Sequence, residues 1–111
     1  MANKMYIVIR DTVPDQFVPV ICAHSSLICF LKHKEDKRME EWLDNSFRKC
    51  VVSAGVDEWN EVVQCKDYCI VHESALGDGI VALVFVPRDD FEPILRKLPL
   101  WKPQGQVQWK R

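Results

Sequence analysis

The sequence predicts an α/β fold: a mixed sheet of four strands with helices on both faces. Three observations carry that expectation. Short β-rich apolar runs alternate with helix-period segments, giving the order β-α-α-β-α-β-β-α. Two of the runs, MYIVI at 5–9 and IVALVFV at 80–86, are apolar without a break, as strands covered on both faces are. The last two strands are separated by a Gly-rich link, Gly77-Asp78-Gly79, which suits an antiparallel hairpin.

Each element has a local reason. Met5 to Ile9 is the first strand, ending at Arg10-Asp11, and Thr12-Val13-Pro14 turns the chain. Asp15 is placed to N-cap a helix that runs to about position 32–34, with Pro19 near its first turn, where a missing N–H costs little. That segment, DQFVPVICAHSSLICFL, is apolar on almost every side. Phe17, Ile21, His24, Ile28 and Leu31 share one stripe; Val20, Ala23, Leu27 and Phe30 share another; Ser25 and Ser26 form the polar strip. A helix of this kind is expected to be buried all round, with His24 inside its apolar face.

KHKEDKR at 32–38 reads as a solvated segment, and Arg38 to Leu43 as a short helix with Met39, Trp42 and Leu43 at helical spacing. Phe47 to Ser53 is the second strand, and Gly55 breaks the chain. Asp57 to Cys65 opens with acidic residues, which favours a helix N-terminus. Tyr68 to Val71 is the third strand, and Ile80 to Val86 the central one, stopped by Pro87. Asp89 or Asp90 then caps a last helix to about position 97, with Phe91, Ile94, Leu95 and Leu98 inward. Residues 1–98 are expected to form one domain. Residues 99–111 are a polar C-terminal tail, flexible by default, which Trp101 and Trp109 could anchor.

Composition limits the function. Fifteen basic and sixteen acidic residues leave a net charge of -1, which argues against a dedicated nucleic-acid binder, since phosphate contact needs clustered Lys and Arg. The five cysteines are odd in number, lack Cys-x-x-Cys spacing and have apolar neighbours, so they read as reduced, buried thiols in a cytoplasmic protein. No metal site and no cofactor are expected. The N-terminus carries no signal-peptide pattern, and the long apolar run is interrupted by Pro19, His24, Ser25 and Ser26 before it reaches bilayer-spanning length, so no membrane association is expected.

Ligand sites in open α/β sheets form outside the carboxyl ends of the strands. Arg10 and Asp11 end the first strand, Glu73 and Ser74 end the third, and His24 and Ser25 lie about two turns into the first helix; these six form the candidate cluster. Cys22 and His24 are two residues apart and cannot face each other on a helix. A dyad must therefore cross between elements, and His24 with Glu73 is the pairing that gives a general base its orienting carboxylate. Ser74 or N–H groups of the ESALGDG turn would hold an oxyanion. Arg48 and Lys49 open the second strand and could extend a substrate-binding patch from the Lys-rich segment. Bland readings stand beside these. His24 could be a core histidine bonded to a carbonyl, Glu73 and Ser74 could simply cap the turn, Arg10 and Asp11 could be an exposed ion pair, and the four tryptophans could be packing anchors.

The stretches MYIVIRD (5–11), ICAHSSLICFLK (21–32), EWLDNSFRKCVVS (41–53) and IVHESALGDGIVALVFVP (70–87) together resemble the type 2 peptidyl-tRNA hydrolase family, enzymes that release peptide from tRNA by ester hydrolysis. The strings AHSSL, FRK and ESAL are similar to a small bacterial and phage-type branch of that family. The resemblance covers 5–87 in order. It implies a three-layer α/β/α domain with a four-stranded mixed sheet, and tRNA or peptidyl-tRNA as partner. It keeps the helix His24 and sets Glu73 where the family has an aspartate. Other positions depart from the pattern. The loop TVPDQF lacks the family's Gly-Lys lysine, Ile21 takes the place of a helix glutamine, and the family's threonine has no clear equivalent.

Two functions are therefore carried forward. One is hydrolysis of peptidyl-tRNA or a related ester; the other is a non-catalytic relative that binds a protein or small molecule through the same cleft. A homodimer is compatible with either.

Overall fold

The computed structural model describes residues 3–105 and Trp109. Its elements run β1 (Lys4–Arg10), a one-turn 3-10 helix (Asp15–Phe17), α1 (Val18–His33), α2 (Lys37–Asn45), β2 (Arg48–Ala54), α3 (Val56–Val62), β3 (Tyr68–His72), a second one-turn 3-10 helix (Ser74–Leu76), β4 (Ile80–Phe85) and α4 (Pro93–Lys97). The strands form one mixed sheet in the order β2-β1-β4-β3. The fold is α/β, with helices on both sides of that sheet.

The uninterrupted apolar strands explain the layering. In β1, Met5, Ile7 and Ile9 point to one face and Tyr6 and Val8 to the other, and all five are buried. The first face is covered by Val18, Ile21 and Cys29 of α1 and Met39 and Trp42 of α2. The second is covered by Val62 of α3, Phe91, Leu95 of α4 and Leu98. Tyr6 and Phe91 meet edge to face at 4.6 Å, as do Tyr68 and Phe85 at 5.5 Å.

Register places the ends of the strands. β1 and β2 are parallel from Lys4↔Arg48 to Arg10↔Ala54, while β4 lies antiparallel between β1 and β3. The three strands β1, β2 and β3 therefore leave the sheet at one edge, where β4 enters. The β3–β4 hairpin is antiparallel as expected, with a register shift at Val71/His72. Gly77, at φ 83°, supplies the left-handed residue that closes the 3-10 turn between them.

Several sequence expectations are corrected. The first helix is not buried all round. Its covered stripe is Val18, Ile21, Ser25 and Cys29, while Val20, Leu27 and Leu31 face outward. His24 belongs to the exposed side, and Ser25, expected on the polar strip, is fully buried with its Oγ–H donating to the Ile21 carbonyl at 2.7 Å. That backbone bond satisfies the hydroxyl, so the helix can bury serine in place of an imidazole. Asp15 does not cap α1, because Pro14 leads the chain into a 3-10 turn first. Asp89 and Asp90 do not cap α4, which begins at Pro93, a residue whose fixed φ suits the first helical position. Of the three apolar residues at helical spacing in α2, Met39 and Trp42 are buried and Leu43 is exposed.

The segment after α4 lies along β2. Val52 bridges Leu100, the Ser53 N–H donates to the Pro99 carbonyl at 2.9 Å, and the Trp101 N–H donates to the Val51 carbonyl at 2.9 Å. An otherwise open strand edge is thereby paired. Beyond it, the N–H groups of Gln104 and Gly105 both donate to the Asp15 carboxylate at 2.9 Å, so residues 99–105 are tied to the body at two places. The tail positions 106–108, 110 and 111 lie outside the described residues.

Candidate functional site

The site is built at the edge where the parallel strands end. His24 stands on the second turn of α1, and Glu73 is the first residue after β3. The His24 Nε2 atom is 3.1 Å from Glu73 Oε1. The imidazole side chain is 44% exposed and the carboxylate only 10%, so an open ring rests on a covered acid. A carboxylate can only accept. The contact therefore assigns the proton to Nε2 and leaves the Nδ1 lone pair unclaimed by this pair.

The backbone explains why Glu73 holds still. It is the N-cap of the 3-10 turn Ser74–Leu76, and its Oε2 accepts the Ala75 N–H at 2.9 Å. The Ser74 hydroxyl approaches the same oxygen at 3.4 Å. The Ala75 N–H above all, aided by His24 and opposed by partial burial, holds the Glu73 carboxyl below the usual 4.5. The catalytic and the capping readings of Glu73 are thus compatible, one for each oxygen.

The other candidates separate. Ser74 reaches the edge, but its hydroxyl lies against Glu73. The Ala75, Leu76 and Gly77 N–H groups are already committed to Glu73 Oε2, the Glu73 carbonyl and the Ser74 carbonyl. Three of the expected oxyanion donors of this turn are therefore occupied inside it. Ser25 is corrected outright: its buried hydroxyl is bonded within α1 and meets no solvent. Arg10 stands on the same edge, with Nη1 donating to the Ile80 carbonyl at 3.2 Å. Asp11 turns toward the α3 and α4 side, where it lines a cavity of about 510 Å³ with Gly55, Asp57, Glu58, Glu61 and Lys97.

Arg48 and Lys49 are at the wrong end. They pair with Lys4 and Met5 where the parallel strands begin, the full length of β2 from the edge that holds Glu73. Lys49 Nζ instead sits 3.4 Å above the centre of the Phe47 ring and donates to the Phe47 carbonyl. The Lys-rich segment lies at that same end, because α1 runs back along the sheet; there Arg38 bonds Asp36 and Asp67.

Two features were not singled out from sequence. One is the acidic lining of the large cavity, whose signal was the clustered acids of DEWNE at 57–61. The other is an apolar groove of about 280 Å³ between α1 and α2, lined by Leu27, Phe30, Leu43 and Phe47. Its signal was the surplus of apolar residues on α1, more than one buried stripe needs.

Among the described residues, no three His, Cys, Asp or Glu side chains gather where a metal ion could be held. All five cysteines are free, but only Cys29 and Cys69 are buried, and the expectation of five buried thiols is corrected to two. Burial, reinforced by neighbouring Cys69, pushes the Cys29 thiol up to about 12, so it is neither a nucleophile nor a ready ligand at neutral pH.

No family model matches the chain, and no curated protein matches it. The geometry of the edge is therefore the main support for a functional reading. Among the described residues, no helix is long and apolar enough to cross a membrane.

Proposed function

We propose that the protein is a hydrolase of peptidyl-tRNA or a closely related ester, with His24 as general base and Glu73 as the carboxylate that orients it. The observation that carries this reading is the 3.1 Å contact between an exposed imidazole and a covered, backbone-anchored acid at the carboxyl edge of the sheet. In the proposed step, His24 Nδ1 takes a proton from water as the water oxygen attacks the ester carbonyl. The tetrahedral intermediate then collapses, and the imidazolium returns that proton to the departing ribose oxygen. Glu73 stabilises the transient imidazolium through Nε2–H. The type 2 peptidyl-tRNA hydrolase resemblance of 5–87 supplies the substrate class. The same reading makes tRNA the partner and translation the process. Five free thiols support a cytoplasmic setting.

A specific set of observations favours the second reading, a non-catalytic binding module on the same scaffold. The loop before α1 has no lysine, the Ala75, Leu76 and Gly77 amides are committed, and the adjacent large cavity is lined with acids that repel phosphate. In that case a protein partner or a small molecule would bind through the same cleft, beside His24 and Glu73.

Deacylation of peptidyl-tRNA by the purified chain decides between them. The hydrolase reading expects turnover that falls by about 10²-fold or more in His24→Ala and in Glu73→Gln, in the range of general acid–base contributions. Turnover by the wild type that both variants retain removes the dyad from the reaction. Absence of turnover in the wild type leaves the binding module.

A further inference from the structure

The apolar surplus of the helices gathers at the end of the sheet opposite Glu73. Leu27 and Leu31 of α1 and Phe47, the second residue after α2, are each more than half exposed, and Leu43 of α2 is exposed as well. Leu27, Leu43 and Phe47 line one groove, and Leu31 lies one turn beyond Leu27 on the same helix. Four of the eight large apolar side chains exposed among the described residues therefore share one patch. Single exposed leucines need no explanation, but a contiguous patch marks a surface that another molecule covers.

Phe47 adds to this. Its φ of 60° is left-handed, where a side chain strains the backbone and glycine does not. The chain nevertheless holds a phenyl ring there, tilted against Trp42 with ring centres 5.0 Å apart and beneath the Lys49 ammonium. Burial within the chain recovers little of that strain, because more than half of the residue is exposed. A partner over the ring would recover it.

The charges select the partner. Lys34, just past α1, shares the outer face with Leu27 and Leu31, at steps of four and three residues. Glu40 and Asp44 are exposed on α2 beside Leu43. Among the described residues no ion pair uses Lys34, Glu40 or Asp44. The patch thus has an apolar centre, a cation on its α1 side and two carboxylates on its α2 side. Such a surface complements itself. A two-fold axis that sets α1 of one copy across α2 of the other brings Lys34 to Glu40 and Asp44 twice over. We propose that this face is the interface of a homodimer, in which Leu31 of each copy seats in the groove that Leu27, Leu43 and Phe47 line on the other. The groove includes Lys49 at the start of β2, so the carboxyl edge with Glu73 stays open and the pairing is independent of the proposed hydrolysis.

Sedimentation equilibrium of the full chain between about 1 μM and about 1 mM tests this. A monomer–dimer equilibrium is expected, weakened at least tenfold by Leu31→Glu, which sets a charge against the apolar groove. Lys34→Glu alone, and Glu40→Lys with Asp44→Lys, should each weaken pairing at least tenfold by placing like charges opposite each other. The chain carrying all three charge changes should pair within about threefold of the wild type, and that recovery also shows that the variants fold. The proposal is overturned if the chain stays monomeric to about 1 mM, which would leave the face to a different protein, or if it forms another oligomer. It is overturned equally if Leu31→Glu leaves the dimer intact, or if the three changes together fail to restore what the separate ones removed. Turnover of peptidyl-tRNA does not enter this measurement, so the failure of either reading leaves the other standing.

Discussion

Glu73 uses its two carboxylate oxygens for two purposes, one on His24 Nε2 and one on the Ala75 N–H. This division makes it a measurable link between stability and pH. Because its carboxyl is held below the usual 4.5 in the folded chain, it contributes stability that is fully present above that value and is lost as pH falls through the lower, folded value. Glu73→Gln removes the titration. The stability difference between wild type and variant, followed by urea unfolding, should therefore be largest near neutral pH and shrink below about pH 5. A difference that stays constant down to pH 3 would contradict the assignment. Ser25 and His24 show how one residue's shift along a helix changes its role. Two stripes of α1 read as apolar and Ser25 read as polar, yet packing against β3 and β4 buried a different face, Val18, Ile21, Ser25 and Cys29.

At the scale of elements, end chemistry decides more than propensity. Asp36 caps α2 by accepting the Arg38 N–H at 2.8 Å, and both of its oxygens also take the Arg38 guanidinium. The Arg38 bonds, above all the side-chain one, keep the Asp36 carboxyl below its usual range. Asp36→Ala should cost about 1–2 kcal/mol in urea unfolding, whereas Asp36→Asn, which can still accept the N–H, should cost less than half as much. The other end of α2 closes on Phe47 at φ 60°, a left-handed position where glycine is usual, with its N–H donating to the Trp42 carbonyl. Asp15 carries the complementary lesson. A good capping residue in sequence became the anchor for the N–H groups of Gln104 and Gly105, because Pro14 had displaced the start of α1.

For the whole molecule, strand direction is the controlling variable. A parallel β1–β2 pair puts Arg48 beside Lys4, so the six residue steps from Arg48 to Ala54 at ~3.3 Å each, about 20 Å, separate the basic start of β2 from the carboxyl edge. No site at that edge can draw on Arg48 or Lys49. The core between the helical layers is correspondingly the place where substitution costs most. Leu83→Ala, at a side chain buried to 1% on the central strand, should cost about 2–5 kcal/mol by chemical denaturation. Leu27→Ala, at 58% exposure on the outer face of α1, should change the stability of the single chain by less than about 0.5 kcal/mol. A loss at Leu27 that grows with protein concentration would mean that the outer face is covered in solution.

By itself the sequence determined the class of fold and the order of its elements, because hydrophobic period and turn chemistry are local properties carried by neighbouring residues. It also brought His24 and Glu73 into one argument, since a helix start and a strand end must meet where an α/β sheet opens. Tertiary structure alone decided which face of α1 is buried, at which edge Arg48 and Lys49 stand, and that Trp109 returns to lie beneath the Arg10 guanidinium. Each of these depends on strand direction or on a contact between residues far apart in the chain. A short run of sequence carries no energy difference between such alternatives until the layers pack.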